Sequence, residues 1–297
     1  THAGALHPLS TRNVLRRVLD LYAEQGLQPV VAPEVEFFLV AKNTDPDYEL
    51  APPQGRSGRS ESSRMSYSID AVAEFEDLVE DIYDYAEAQN LQVGALIHEH
   101  GAAQMEMNFE HGDALSLADQ VFVFKRTVRE IAHKYGMYAT FMAKPMQREC
   151  GSAMHIHQSV IDKKTGKNIF TKEDGTQSQL FLNYIAGLQT YIPELLPLMA
   201  PSANSFRRFL PGTSAPVNLE WGVENRTCGL RIPESSPQNR RIENRIPGAD
   251  ANCYLTIAAS LLCGFIGMEK GLRPSTPVTG RSNESRTNNE YCLPRTL

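Results

Sequence analysis

The chain has 297 residues, of which 41% are hydrophobic and 22% charged, an ordinary balance for a globular fold that argues against a mainly disordered chain. Its 29 Lys and Arg against 35 Asp and Glu leave a net charge of −6, which disfavours nonspecific binding to nucleic acid or to an anionic membrane. No apolar run approaches the roughly 20 residues of a membrane span, and five widely spaced cysteines without a CxxC pair argue against a disulfide framework or zinc knuckle and indicate a reducing, cytoplasmic setting.

Hydrophobic periodicity predicts helices and strands in irregular alternation. The predicted helices cover residues 11–26, 70–89, 115–135, 180–198 and 249–272, and Pro193 ends or kinks the fourth of them. The predicted strands cover residues 30–40, 93–98, 104–109, 138–142, 152–160, 217–221, 229–232 and 240–246, and residues 42–67, 162–175 and 280–289 are predicted loops. Such an order indicates an α+β fold with an antiparallel sheet rather than a doubly wound parallel one.

Two carboxylates stand in the first predicted strand, where a buried strand should be apolar. Glu34 and Glu36 are two residues apart, so both side chains point to one face, roughly 7 Å from each other. Burying both without a cation costs several kcal/mol or forces protonation, whereas Mg²⁺ or Mn²⁺ removes the conflict. The alternative is an edge strand whose acidic face is solvated.

Two further polar pairs have a chemistry that suits a metal site. His155 and His157 share one face of a predicted strand, and neutral imidazoles bind metals or donate to phosphates. Glu99 and Glu106 flank a short Gly-Ala-Ala connection that would bring both carboxylates to one end of the sheet. An ordinary polar turn and satisfied core histidines are the alternatives.

Arginines form the last group of candidates. Arg241, Glu243 and Arg245 share one strand face, either as a surface salt-bridge ladder or as a metal ligand between anion-binding guanidiniums. Other arginines lie near glycine and proline turns, namely Arg207, Arg208, Arg226 and Arg231. The guanidinium fork binds phosphate and carboxylate bidentately. Together with the carboxylates and the histidine, these residues fit metal-assisted phosphoryl transfer, and neither a GxGxxG nor a GxxxxGK[ST] motif is present to hold a nucleotide.

In order and spacing, these motifs resemble the catalytic domain of the glutamine synthetase superfamily. The motifs are residues 33–38, Glu99 with Glu106, residues 151–157, residues 208–212, residues 225–226 with 231–233, and residues 241–245. The resemblance runs from about residue 11 to residue 297. It implies that residues 1–297 form one such catalytic domain, with a curved, mainly antiparallel sheet that makes a partial barrel flanked by helices.

The resemblance also implies roles for individual residues. The first metal, Mg²⁺ or Mn²⁺, would be bound by Glu36, Glu99 and Glu106, and the second by Glu34, His155 and Glu243. ATP would be bound by His157, Ser159, Arg226, Arg231 and Arg241, and glutamate by Gly151, Arg208 and Arg245. The catalytic residues would be Arg208, Arg226 and Glu243. The implied reaction phosphorylates the γ-carboxylate of glutamate with ATP, and an amine then attacks the γ-glutamyl phosphate to give an amide.

Three positions depart from the family pattern. Ser214 stands in the flap where ammonium-using members carry a glutamate, residues 150–153 read Cys-Gly-Ser-Ala instead of Asn-Gly-Ser-Gly, and Glu99 and Glu106 are one residue closer than in the standard bacterial enzyme. These departures favour the γ-glutamylpolyamine branch, with putrescine as an example of the amine. The alternatives are an ammonium-using glutamine synthetase and a non-catalytic structural homologue.

The resemblance also predicts features beyond a single catalytic domain. Family members carry an N-terminal β-grasp domain and C-terminal helices, and both are expected to be absent from this sequence. They assemble into a homo-oligomer, so a dodecamer of two stacked rings is expected, with active sites between subunits. Tyr291 falls near a tyrosine that some members adenylylate, but its surroundings differ. No nucleic-acid or membrane partner is expected.

Overall fold

The computed structural model describes residues 6–45, 47–62, 65–282 and 291–297. In this part of the chain, nine strands form one sheet: β1 Leu27–Ala41, β2 Val93–His98, β3 Gln104–Phe109, β4 Gly112–Asp113, β5 Met137–Thr140, β6 Met154–Asp162, β7 Trp221–Val223, β8 Leu230–Ile232 and β9 Ile242–Asn244. Their order is β2-β3-β1-β6-β9-β8-β7, and β4 and β5 also pair with β1. Only the β7–β8 pair is parallel among these strands. The predicted α+β class with a mainly antiparallel sheet is confirmed.

Helices flank the sheet. They are α1 Thr11–Glu24, α2 Ile69–Ala73, α3 Glu76–Ala88, α4 Ala114–Lys134, α5 Gln179–Leu195, α6 Ala203–Phe206 and α7 Cys253–Glu269, with 3-10 turns at Leu196–Leu198 and Pro237–Asn239. Within the described residues, no helix has both the length and the apolar character needed to cross a bilayer.

The long strand β1 separates the core from the polar face of the sheet. Val35 and Phe37 point into the main core, where the Phe37 and Phe124 rings lie 6.2 Å apart. Glu34 and Glu36 point to the opposite face because side chains alternate along a strand. Phe38, on that same face, packs in a small separate cluster with Met146. A strand that is apolar on both sides at one end therefore presents two carboxylates at its middle.

Four predicted elements need correction. The helix expected over residues 70–89 is two helices, and the break at Glu74 serves the preceding loop: the Glu74 carboxylate and carbonyl accept the backbone N–H groups of Ser57 and Arg56 at 3.0 and 2.9 Å. α7 begins at Cys253 rather than 249, because the Asn252 side chain caps it by accepting the N–H of Leu255.

The other two corrections concern a strand and a proline. The strand predicted over residues 217–221 was wrong in its limits, since β7 starts at Trp221. Pro193 lies inside α5, which continues to Leu195 before a 3-10 turn, so it does not end the helix. β4 and α6 had not been predicted. Most of the predicted loop at 280–289 lies outside the described residues.

Candidate active site

Antiparallel pairing brings the predicted metal ligands together across four adjacent strands. Glu34 lies opposite His155 of β6, and Glu36 lies opposite Glu106 of β3. His157 lies opposite Glu243 of β9. All six predicted metal ligands, Glu34, Glu36, Glu99, Glu106, His155 and Glu243, line one cavity of about 600 Å³. These residues are as far as 209 positions apart in sequence (243 − 34), so only the sheet order unites them.

The ligand atoms form two overlapping groups. Glu34, Glu106 and His155 make one group and Glu34, His157 and Glu243 the other, and within each group the donor atoms lie within 4.8 Å of one another. Glu34 is common to both. These groups differ from the two predicted ligand sets, because Glu106 joins Glu34 and His155 in one, and His157, which had been assigned to the nucleotide, joins Glu34 and Glu243 in the other. The division of the six ligands between two ions stays a prediction.

Glu34 is held by the two histidines. Its Oε1 lies 2.7 Å from Nε2 of His157, and its Oε2 lies 3.2 Å from Nδ1 of His155. Burial raises the pKa of Glu34, but these two hydrogen bonds outweigh the effect of burial and hold the pKa well below its usual range. Glu34 is therefore ionised at neutral pH. Burial, and then the nearby Arg245, lower the pKa of His155, which keeps this imidazole neutral and able to ligate.

Glu36 and Glu106 carry the opposite perturbation. Burial and then the charge of Glu99 raise the pKa of Glu36 to about 8. Burial and then the neighbouring carboxylates raise the pKa of Glu106 to about 10. Carboxylates crowded in a desolvated site repel one another, and a divalent cation that prefers oxygen ligands removes that repulsion. The donor set therefore fits Mg²⁺ or Mn²⁺.

Glu243 lies between two arginines. Its Oε1 is 2.5 Å from Nη1 of Arg245, and its Oε2 is 2.7 Å from Nη1 of Arg231. Burial raises the pKa of Glu243, but Arg245 and then the histidines lower it to about 2. Arg231 also reaches Glu224, at 3.1 Å. Both arginines, predicted to contact substrates, thus already hold a predicted metal ligand in its ionised form.

Arg208 and Gly151, predicted to bind glutamate, pack against each other. The Arg208 guanidinium is buried and donates to the carbonyl oxygens of Ile246 and Arg245. Burial lowers the pKa of Arg208 to about 10. A Cβ atom on Gly151 would lie 2.3 Å from Cγ of Arg208 and 2.6 Å from the carbonyl oxygen of Ala143. Only glycine fits between these groups.

Gly151→Ala is therefore expected to destabilise the protein by about 1–3 kcal/mol, because the clash includes a backbone oxygen that cannot rotate away. Gly280→Ala is the matched control, since a Cβ at Gly280 meets nothing within 4 Å. Denaturant unfolding of both variants checks this. Equal stability of the two variants would contradict the expectation.

The predicted nucleotide residues lie around two cavities. Arg226 and Arg231 line the main cavity, together with the other predicted catalytic residues. His157, Ser159 and Arg241 line a second cavity of about 480 Å³ on the same sheet. His157 contacts one residue of each cavity. Its Nε2 faces Glu34 of the main cavity, and its Nδ1 accepts a 3.1 Å hydrogen bond from Nε of Arg241 in the second cavity. A ligand that spans both cavities would pass this imidazole.

Two polar residues of β3 that contact the site, Gln104 and Asn108, were not predicted from the sequence. Nε2 of Gln104 donates to Oε2 of Glu36 at 3.1 Å and to the carbonyl of Gly151 at 3.0 Å. Nδ2 of Asn108 donates to Oε1 of Glu106 at 3.1 Å. The signal was present, because Gln104, Glu106 and Asn108 follow the same two-residue period that had singled out Glu34 and Glu36.

Fold and site together define an α+β domain whose sheet carries clustered carboxylates and imidazoles. The sequence matches the protein family described as glutamine synthetase, catalytic domain, over residues 8–297. The chain belongs to this family, which confirms the resemblance drawn from its motifs.

Several curated relatives and solved structures are similar to the chain. It is 39% identical to gamma-glutamylputrescine synthetase PuuA of Escherichia coli (93% of this chain, 58% of the relative). It is 36% identical to glutamate–isopropylamine ligase of a Pseudomonas species (92% and 60%) and 35% identical to glutamine synthetase of Pyrococcus abyssi (91% and 59%). The solved GmaS/ADP complex superposes with a TM-score of 0.84 at 28% identity, covering 99% of this chain and 67% of that one. The chain spans about three fifths of the length of these curated relatives.

Proposed function

We propose that this chain is the catalytic domain of an ATP-dependent ligase that joins the γ-carboxylate of L-glutamate to an amine, of the polyamine class exemplified by putrescine. The observation that carries the proposal is the main cavity, in which six potential metal ligands lie beside Arg208, Arg226, Arg231 and Arg245. Such a combination supplies cations for phosphate oxygens and ligands for the metal that neutralises them. Relatives named as glutamate–amine ligases support the same chemistry.

The residues present fit two divalent cations and a nucleotide. Glu34, Glu36, Glu99, Glu106, His155 and Glu243 would hold Mg²⁺ or Mn²⁺, which supplies charge neutralisation of phosphate when bound. His157, Ser159 and Arg241 would contact ATP in the second cavity, with Arg226 and Arg231 at its γ-phosphate. Gly151, Arg208 and Arg245 would shape the glutamate subsite. The name of the GmaS/ADP complex supports a nucleotide site in this fold.

The proposed reaction proceeds by two displacements. A γ-carboxylate oxygen of glutamate attacks the γ-phosphorus of ATP, the bond to the β,γ-bridging oxygen breaks, and ADP leaves. The amine nitrogen then attacks the acyl carbon, inorganic phosphate leaves, and the nitrogen loses a proton. Arg226 and Glu243 line the cavity in which both displacements would occur. Arg226 would stabilise negative charge on the transferred phosphoryl group. Glu243 would contribute as an ionised carboxylate ligand of the metal.

Two departures from the family pattern meet at one wall of the cavity, and they bear on the amine. Oγ of Ser214 lies 3.9 Å from Sγ of Cys150, and the Ser214 carbonyl accepts a 3.4 Å hydrogen bond from Arg245. Both side chains are neutral and short. A carboxylate at position 214 would favour a bare ammonium ion, whereas a neutral wall leaves room for an alkyl chain. This contact supports an organic amine over ammonium.

The assembly is part of the proposal. We expect a homo-oligomer, a dodecamer of two stacked rings, on the family resemblance alone. Light scattering on the intact protein measures its mass, and a monomeric mass would contradict this expectation.

The test of the proposed function is phosphate release by the intact protein with ATP, glutamate and Mg²⁺, with putrescine or ammonium as the sole amine. Release with putrescine and little release with ammonium is expected. Preference for ammonium would instead identify the protein as a glutamine synthetase, which is the name of its relatives from Pyrococcus abyssi and Pyrococcus horikoshii. Absence of phosphate release with every amine tested would reject the proposed class of ligase and favour a non-catalytic homologue.

A further inference from the structure

The short turn between β2 and β3 is held by side chains from three different segments. Its successive backbone N–H groups, at residues 101, 102 and 103, donate to Gln104 at 2.8 Å, to Glu149 at 3.1 Å and to Glu61 at 2.7 Å. Glu61 and Glu149 are 42 and 47 residues away from their partners in sequence. The backbone N–H groups of these three successive residues are thus all occupied by side-chain oxygens.

This turn fixes the relative position of two predicted metal ligands. Glu99 is the first residue of this connection and Glu106 lies in β3, seven residues further along the chain. Ala103 has a φ of 55°, a left-handed conformation that costs a residue with a Cβ roughly 1–2 kcal/mol. A strained conformation persists only where its surroundings enforce it. The carboxylate of Glu61, bonded to the N–H of Ala103 itself, is the group placed to do so.

Glu61 also acts on the other end of the turn. The same Oε2 atom lies 2.9 Å from Nε2 of His98, and Nδ1 of His98 lies 2.7 Å from the carbonyl oxygen of Glu99. The His98 side chain is fully buried and that of Glu61 is 10% exposed. One carboxylate therefore links the backbone on both sides of the turn.

The loop that carries Glu61 is itself anchored. The N–H groups of Arg56 and Ser57 bond to Glu74 at the break between α2 and α3, and Gln54 and Ser60 form an antiparallel bridge. Glu61 follows this bridge directly. The predicted loop over residues 42–67 is thus folded in this part, and it presents Glu61 to the turn from a fixed base.

Glu149 brings the segment before β6 to the same turn. It precedes Cys150 and Gly151, and Gln104 bonds to the Gly151 carbonyl as well as to Glu36. The turn, the Glu36 carboxylate and the predicted glutamate loop therefore share one hydrogen-bond network.

From this geometry we propose that Glu61 and Glu149 are positioning residues, which hold the turn so that Glu99 and Glu106 face one metal ion in the arrangement it needs. The inference rests on the proposed function, because it assumes that those carboxylates bind a divalent cation. Neither Glu61 nor Glu149 is proposed to touch the metal or the substrates. Partners of this kind usually change metal affinity by about 10–100-fold when they are removed.

The experiment measures Mn²⁺ binding to the intact protein without nucleotide or glutamate, from the electron paramagnetic resonance signal of free Mn²⁺. Glu61→Ala and Glu149→Ala are each expected to weaken Mn²⁺ binding roughly tenfold. Glu61→Gln should recover most of the affinity, because its amide oxygen still accepts from the N–H of Ala103. Glu49→Ala, an exposed carboxylate of the same loop, is the matched control and should bind as the unaltered protein does.

Thermal unfolding of each metal-free variant separates positioning from a purely structural role. Lower midpoints with unchanged Mn²⁺ affinity in the folded state would overturn the inference, as would unchanged affinity in both alanine variants. Mn²⁺ binding by Glu36→Gln as tight as that of the unaltered protein, or no binding by the unaltered protein, would instead reject the metal site itself. Failure of the positioning inference and failure of the proposed function are therefore told apart.

Discussion

Replacing Glu36 by glutamine is expected to lower metal-dependent phosphate release by more than about 100-fold, because even residues that only orient a metal ligand cost 10–100-fold when removed. Glu36 is a buried carboxylate opposite Glu106, and it accepts hydrogen bonds from the N–H of Ala153 at 2.8 Å and from Gln104. Glutamine keeps its shape and its acceptor oxygen, but it removes the negative charge that a divalent cation needs. Phosphate release with ATP, glutamate and an amine measures the loss.

The fold should survive this substitution. The pKa of about 8 means that Glu36 is largely protonated in the metal-free protein at pH 7, and a glutamine side chain resembles that neutral form. Thermal unfolding of the metal-free protein should therefore change little. Glu80→Gln, an exposed position on α3, is the control for a neutralised carboxylate. Normal turnover in Glu36→Gln would remove Glu36 from the ligand set, and a large loss of metal-free stability would show that its main role is structural.

His155→Ala is a second test of the metal ligands. It removes an imidazole that lies between Glu34 and Glu243. We expect turnover to be lost again, because the second predicted metal site loses one of its three ligands and Glu34 loses a hydrogen-bond partner. Nδ1 of His155 lies 3.2 Å from Glu34 and 3.5 Å from Glu243. Phosphate release and circular dichroism on the same sample check the result. Turnover close to that of the unaltered protein would contradict the assignment of His155.

The two-residue period of a strand explains why much of the site could be predicted from sequence. Glu34 and Glu36, and His155 and His157, each broke an apolar strand pattern on one face, and both pairs lie in the structure where that pattern placed them. The limits of β2 and β3 matched the predicted strands, because a short Gly-Ala-Ala connection separates the two. Local periodicity fixes which way a side chain points, and the family motifs supplied the rest.

Strand register could not be read from local pattern. Whether Glu34 faces His155, and whether His157 faces Glu243, depends on pairing between residues that are 121 and 86 positions apart in sequence. The role of Glu61 was hidden for a similar reason. It lies in a polar loop with no periodicity, and its importance comes from contacts with His98 and Ala103 that only the folded chain brings about.

Opposed pKa shifts of neighbouring carboxylates follow from that register. Glu34 and Glu243 lie beside imidazoles or guanidiniums and stay ionised, although burial raises the pKa of both. Glu36 and Glu106 face each other and Glu99 and have raised pKa values. Of these four carboxylates, two are thus charged and two protonated in the metal-free protein at neutral pH. Its affinity for a divalent cation must then depend on pH.

Metal binding at pH 7 is expected to release about two protons per subunit, because the pKa values of about 8 and about 10 leave Glu36 and Glu106 protonated until a cation displaces the protons. Titration calorimetry of Mg²⁺ or Mn²⁺ in buffers of different ionisation enthalpy counts the protons. Glu106→Gln should release about one proton fewer. Release of none from the unaltered protein would show that both carboxylates are already ionised before the metal arrives.

The folding stability of the metal-free protein should depend on pH through the same two carboxyl groups, those of Glu36 and Glu106. A carboxyl group with a raised pKa in the folded state stabilises the metal-free protein below its ordinary pKa, and this contribution is lost as the pH rises towards the folded value. The lowered pKa of His155 acts in the opposite direction only at more acidic pH, below about 6.5. Burial also lowers the pKa of Lys125 to about 8, which offsets part of this loss above pH 8. Between pH 7 and pH 9 the two carboxyl groups should still leave the metal-free protein less stable, and the rise in unfolding temperature on adding Mg²⁺ should grow. Glu36→Gln should reduce this pH dependence, since position 36 can then no longer titrate and Glu106 still does, whereas Glu80→Gln should leave it unchanged.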